Sequence, residues 1–378
     1  MNPIRRYLDK IKPNFEKGGK FEKLHSTYDA FSTFLFVPNT VTRKGTHIRD
    51  ASDLKRTMSV VIIALAPALL FGMWNAGFQN SEALGITRTL WENFWFGFCK
   101  VFPIIVVSYV VGLSIEFGVA QARGHEVNEG FLVSGILIPL VMPVGVPLWM
   151  VAVATAFAVV FGKEIFGGTG MNIWNPALLT RAFLFFAYPT AMSGDKVWVS
   201  GVDGFSGATP LSEAAAGQPL TASLCDMFLG LIPGSVGETS TLSILIGAAI
   251  LLFTGVASFR VMFSVFAGGA VMGLIFNLWG ANSYMETPFY YHYVMGGFAF
   301  GAVFMATDPV TGSHTATGKW IYGFLIGLFA VLIRVLNPSY PEGMMLSILL
   351  MNTFAPLIDY YVVSANIKRR LKRVTVKA

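Results

Sequence analysis

The sequence is poor in charge: Asp, Glu, Lys and Arg make up 13% of its 378 residues. Soluble domains carry roughly 25%, so most of this surface is not built to face water. Cysteine is scarcer still. Cys99 and Cys225 are the two in the chain, with no CxxC pair, which excludes a disulfide framework and an iron–sulfur site. The five histidines are scattered and form no HExxH. No GxGxxG follows a strand, so no dinucleotide fingerprint is present. Gly312 to Lys319 is one residue too long for a P-loop, and Trp320 replaces the required Ser or Thr. The first 56 residues lack the apolar core of a signal peptide and are expected to stay in the cytosol.

What the chain has is apolar sequence: 54% apolar residues and a mean hydropathy of +0.60. Runs able to cross, or nearly cross, ~30 Å of hydrocarbon fall at about 58–77, 93–119, 130–144, 148–162, 174–188, 240–257, 261–280, 291–306, 320–336 and 343–363. The expected fold class is an all-α polytopic membrane protein of about ten transmembrane helices. Charge then orients it. Residues 1–57 hold twelve Lys/Arg and residues 368–377 hold six. Basic residues crowded beside apolar spans mark cytoplasmic ends, not a nucleic-acid surface. An even number of spans puts both termini on that side. No Lys or Arg stands between Lys196 and Arg260, so the long segment around 189–239 is expected outside the cytoplasm. The chain divides into a basic segment (1–57), five helices (58–190), an extracytoplasmic loop (191–239), five further helices (240–365) and a basic tail (366–378).

The two helical sets echo each other. Gly130-Phe131 opens a short apolar helix ending at Pro143, and Gly297-Phe298 opens another ending at Pro309. A Gly-Lys pair follows in each (Gly162-Lys163, Gly318-Lys319), then an Asn-Pro pair (Asn175-Pro176, Asn337-Pro338). With five helices per set the second copy is upside down. Such inverted repeats place their site near the midplane, where broken helices meet.

One polar stretch stands out in the long loop: Asp203-Gly204-Phe205-Ser206-Gly207-Ala208-Thr209. Thr209-Pro210 reads as a helix start, with Thr as N-cap and Pro at the first helical position. That leaves the small residues Ser206, Gly207 and Ala208 to explain. They let another group approach the backbone closely, and a helix N-terminus favours a phosphate.

Asp-x-x-Ser-Gly-Ala-Thr resembles the acceptor motif on which a flavin transferase places FMN, through a phosphoester to the Thr hydroxyl. Much of the remaining chain is similar to the family that holds the B subunits of sodium-translocating NADH:quinone reductases and the D subunits of Rnf complexes. The likeness runs through Asn128-Glu129-Gly130-Phe131, Gly162-Lys163-Glu164, Gly167-Gly168-Thr169-Gly170 and Asn175-Pro176-Ala177-Leu178. It continues through Arg181 to Pro189, Gly297 to Gly301, Met305 to Pro309 and Tyr340 to Met345. The long polar N-terminal segment favours the quinone-reductase branch.

The resemblance implies covalent FMN on Thr209, on the outer side of a bacterial inner membrane, with Asp203, Ser206, Gly207 and Ala208 as its acceptor motif. It also implies a non-covalent riboflavin, with Asn172 and Asn175 as hydrogen-bond partners; as residues, both read equally as helix and turn caps. The implied partners are the other members (A, C, D, E and F) of a six-subunit complex, a quinone, lipid and the flavin transferase. NADH would bind elsewhere in that complex. Glu116, Glu164, Asp308 and Asp359 lie in or beside spans, where charge is costly and faces a cavity or partner. They either line a sodium path, with carbonyls of broken helices as further ligands, or pair with Arg181, Arg334 or Lys163. Phe300 and Phe304, at i and i+4, either close a pore by dewetting or pack as ordinary core. Gly112 either admits a quinone ring or allows tight helix packing.

The basic start of the chain reads as a segment on the anionic inner leaflet, or one that meets quinone or a neighbouring protein of the complex. A rival reading is a small-solute channel, because two inverted five-helix halves also resemble the urea-transporter architecture, and fold alone does not fix function.

Overall fold

The computed structural model describes residues 3–16, 18–36, 42–48, 54–124, 130–194, 197–202, 207–337, 340 and 342–375. Among these residues the regular structure is helical throughout. Helices α1 (Pro3–Ile11) and α2 (His25–Leu35) precede the bundle. The Tyr28 hydroxyl donates to the Leu8 carbonyl at 2.9 Å, joining the two. Phe31 packs on Phe117 near the end of the second long helix, ring centroids 6.0 Å apart.

Two long antiparallel helices follow, α3 (Leu54–Leu84) and α4 (Leu90–Arg123). α4 starts where sequence chemistry says it should: Glu92 N–H donates to the Thr89 hydroxyl, and Thr89 N–H donates to the Glu92 carboxylate at 2.7 Å. It stops at Gly124, in the left-handed region at φ 69°. The pair lies close because α4's Gly97 faces the Met73 carbonyl and α3's Gly77 faces the Asn93 backbone. A Cβ at either position would overlap main chain. Lipid supplies no hydrophobic drive between helices, so this close backbone approach is what holds them.

The first half continues with α5 (Phe131–Leu140), α6 (Leu148–Val159) and α7 (Pro176–Ala187). A five-residue π turn, Val160–Glu164, closes α6. The long loop holds three short helices, α8 (Pro189–Met192), α9 (Pro210–Ala215) and α10 (Leu224–Leu229). The second half comprises α11 (Thr241–Phe253), α12 (Phe259–Trp279), α13 (Ser283–Glu286), α14 (Tyr291–Val294), α15 (Phe298–Phe300), α16 (Ala316–Leu336) and α17 (Met344–Thr375). A second π turn, Gly301–Met305, extends α15. α12 and α16 repeat the glycine contact, Gly268 against the Phe324 carbonyl and Gly327 against the Val265 carbonyl.

Five helices (α3, α4, α12, α16 and α17) are long and apolar enough to cross a membrane. The chain is a multi-pass, all-helical membrane protein. Each expected apolar run coincides with a helix, but 291–306 is broken into α14, α15 and the π turn. The break falls at Gly296, at φ 61°, a backbone geometry that side chains disfavour. Two of the supposed repeat pairs also part company. Gly162-Lys163 closes a helix whereas Gly318-Lys319 opens one; Asn175 caps the start of α7 whereas Asn337 ends α16. Gly130 and Gly297 do match, each preceding a short buried helix.

Candidate functional site

Two cavities lie at opposite ends of the bundle. Thr57 of α3 lines one of them. Eighteen residues further along α3, Asn75 donates to the Ile232 carbonyl at 3.0 Å, and Ile232 lines the other. At 1.5 Å per residue the two points are about 27 Å apart along the helix, close to the ~30 Å of a hydrocarbon core.

The cavity towards the C-terminal end of α3 is lined by Thr209. Thr209 is the N-cap of α9, as its sequence reads: its hydroxyl oxygen accepts from Ser212 N–H at 3.2 Å, and Pro210 follows. The side chain is half-buried, so its oxygen is held in place yet reachable. Gly207 is buried and Ala208 half-buried beside it, while Asp203 and Ser206 lie outside the described residues. Phe185, Trp198 and Tyr340 line the same cavity.

An ionic cluster absent from the sequence expectations forms the floor. Arg181 of α7 pairs with Glu238 at 2.7 Å and Glu342 at 2.6 Å, and the Tyr340 hydroxyl donates to Glu342 at 3.3 Å. Burial pushes the Glu342 carboxyl above the usual carboxylate range, against the opposing pull of Arg181. The readable signal is Arg181 itself, a cation within a twelve-residue apolar helix, which must find partners; which acids answer it is a tertiary fact. Ser235 and Thr239 also line this cavity, their hydroxyls buried and without a hydrogen-bond partner among the described residues.

The second cavity brings together Asn172, Asn175, Lys163, Thr169, Phe304 and Asp308. Asn175 accepts from Ala177 N–H at 2.9 Å, capping α7, and donates to Asp308 at 3.4 Å. Asn172 donates to the Trp174 carbonyl at 3.1 Å. Each asparagine is thus both a local structural bond and a cavity wall. Asp308 sits in the turn after the second π turn and accepts from Val310 N–H and the Thr311 hydroxyl, both at 3.0 Å. The π turns deliver Lys163 and Phe304 to this cavity; such insertions re-aim side chains and recur at functional sites.

Not every expected residue joins it. Asp359 accepts from Ser313, His314 N–H and Thr315 (2.6–3.0 Å) and ties α17 to the start of α16. Pro356 does not break α17, which runs on through it. Glu116 pairs with buried Lys163, and Glu164 lies beside Gly168. The bare face of Gly112 is covered by the ring of Phe131, so the packing reading accounts for it.

Phe300 and Phe304 are both buried, ring centroids 5.1 Å apart, and Phe304 lines the second cavity. The adjacent end of α5 is sealed by the loop before α11. Gly237 N–H donates to the Leu140 carbonyl at 2.7 Å and Val236 N–H to the Met142 carbonyl at 3.2 Å. These bonds satisfy carbonyls that a helix ending inside a membrane would otherwise leave bare.

The profile of the "NQR2, RnfD, RnfE family" matches residues 41–368. The chain is similar to the B subunit of the Na(+)-translocating NADH-quinone reductase of Chromohalobacter salexigens, 51% identical over 98% of this chain and 96% of that protein. It is likewise similar to the corresponding B subunits of Azotobacter vinelandii and Ectopseudomonas mendocina, each 50% identical over 98% of this chain and 99% of theirs.

Proposed function

The chain belongs to the NQR2, RnfD, RnfE family, and on that premise we propose that it is the membrane subunit of a sodium-translocating NADH:quinone oxidoreductase. In this reading FMN is carried covalently on Thr209, riboflavin binds beside Asn172 and Asn175, and sodium crosses between the two cavities. NADH binds elsewhere in a multi-subunit complex of a bacterial inner membrane.

The observation that carries the reading is that the Thr209 hydroxyl opens into a cavity with two orphaned hydroxyls and aromatic walls. Unsatisfied buried hydroxyls are rare in native proteins and point to a missing polar partner. Esterification of Thr209 leaves its oxygen able to cap α9, because the cap needs an acceptor lone pair and not the proton. Phe185, Trp198 and Tyr340 offer the flat apolar contacts a flavin ring needs, and Ser235 and Thr239 its hydrogen bonds. When bound there, the flavin supplies one-electron chemistry; the chain's part is to hold and orient it and to keep water out.

The second cavity suits the cargo. Sodium prefers hard oxygen ligands, and the Asp308 turn supplies a carboxylate among freed carbonyls. Phe300 and Phe304 form the dry barrier it must pass. Basic termini on the Asp308 side and the Lys/Arg-free stretch on the Thr209 side support an outward-facing Thr209. The matching short helices after Gly130 and Gly297 support two inverted halves.

The test is in-gel fluorescence of the purified protein from cells possessing the flavin transferase. A fluorescent band is expected for the wild type and none for Thr209→Val. A dark wild-type band would overturn the assignment and favour a solute channel.

A further inference from the structure

Beside the Thr209 cavity, whose lining residues Gly296 and Glu342 adjoin the Arg334 guanidinium, three buried polar atoms have no hydrogen-bond partner among the described residues: Tyr284 Oη, His292 Nδ1 and Arg334 Nε. The side chains are 6%, 1% and 0% exposed. The Tyr284 and His292 rings lie 5.7 Å apart, and Arg334 donates to the His292 carbonyl at 2.8 Å. Tyr284 and Arg334 line a third cavity, which the end of α9 around Ala214 to Gly217 also lines.

Arg334 is the informative member. A buried guanidinium is normally paired, because an uncompensated charge in a low-dielectric interior is costly. Arg181, equally buried, has two carboxylates. Among the described residues Arg334 has none within ion-pair distance. Glu342 offers it a backbone carbonyl at 3.4 Å and commits its carboxylate to Arg181.

The region is also rigid before anything binds. Asn277 donates to the Met285 and Thr287 carbonyls at 2.8 and 2.7 Å and accepts from Phe289 N–H at 3.2 Å. These bonds hold the chain carrying Tyr284 and His292 against α12. Donors fixed in advance lose little entropy on meeting a ligand.

We propose that Arg334 and Tyr284, backed by His292, form a binding site for a phosphate-type oxyanion in the cavity at the end of α9, next to the Thr209 cavity. A guanidinium Nε–H and a phenol O–H without partners, beside an imidazole with an unpartnered ring nitrogen, call for a negatively charged group with several acceptor oxygens, the pairing for which arginine geometry is suited. The cavity lies at the C-terminal end of a spanning helix, where Leu336 lines it and is 52% exposed. That depth gives access both to free anions and to phospholipid headgroups, which share this chemistry.

The test uses the full chain, purified and delipidated, with thermal unfolding as readout. One arm adds inorganic phosphate against chloride at matched ionic strength. The other compares nanodiscs with and without phosphatidylglycerol. One or both probes are expected to raise the unfolding temperature of the wild type. Tyr284→Phe, which conserves volume, should weaken the response about tenfold. A response to phosphate identifies a free-anion site; a response to the lipid alone identifies a headgroup site. Arg334→Lys keeps the charge but loses Nε–H, and provides the same comparison should Tyr284→Phe fail to fold. Equal responses in wild type and variants, or none to either probe, would overturn the proposal.

Discussion

Asn175 and Asp308, separated by 133 positions in the chain, meet at 3.4 Å, with the asparagine amide donating to the carboxylate. The same asparagine caps α7 through its carbonyl oxygen. One side chain therefore couples the start of a first-half helix to the acid left by a broken second-half helix.

Asp308→Asn should keep this geometry while removing the charge. In the assembled complex, the sodium concentration for half-maximal quinone reduction should rise on the order of tenfold, equivalent to ~1.4 kcal/mol. Sodium titration of quinone reduction measures it. An unmoved midpoint would take Asp308 out of the cation path.

Phe304→Ala should open the barrier. Sodium-22 uptake into proteoliposomes without electron donor should increase severalfold, while Phe304→Leu, which keeps an apolar plug, should stay near wild type. Truncation also costs ~3–5 kcal/mol of packing, so the leak is to be compared at equal amounts of folded protein.

Glu116 and Lys163 act, in the structure, as a buried pair. Removing one partner strands the other, at about 3–5 kcal/mol. Lys163→Met and Glu116→Leu should each lower the unfolding temperature strongly, and the double variant should recover most of the loss. Additive losses in the double variant would argue that each residue has a separate role, as a sodium path through Glu116 requires.

Helix contact by glycine makes a sharper forecast. Gly97→Ala drives a methyl group into the Met73 carbonyl, whereas a Cβ at Gly118, in the same helix, meets nothing within 4 Å. The first should cost about 1–3 kcal/mol; the second should be neutral or stabilising by up to ~1 kcal/mol. Thermal unfolding of the two variants side by side checks the difference.

Much of this is readable in the sequence wherever the cause is local. The Thr209-Pro210 start of α9 is visible because a cap needs only its own next few residues. The break at Gly296 is not, because a run such as 291–306 scores as apolar whether it is one helix or three pieces. Asp359 reads in sequence as a companion of Asp308 for a related reason. Both are acids near a proline in apolar sequence, yet only Asp308 follows a broken helix, while Asp359 bonds across to Ser313 and Thr315.

By itself the sequence determined that this protein lives in a bilayer, where its helices run and which end carries its positive charge, because hydropathy and charge act residue by residue. Tertiary structure alone decided that Arg181 answers to Glu238 and Glu342, that Asn172, Asn175, Lys163 and Asp308 share one cavity, and that Phe304, packed on Phe300, forms part of its wall. Those outcomes depend on how closely helix backbones approach at a few glycines and where short helices end inside the bundle, and neither is recorded in the apolarity of any single span.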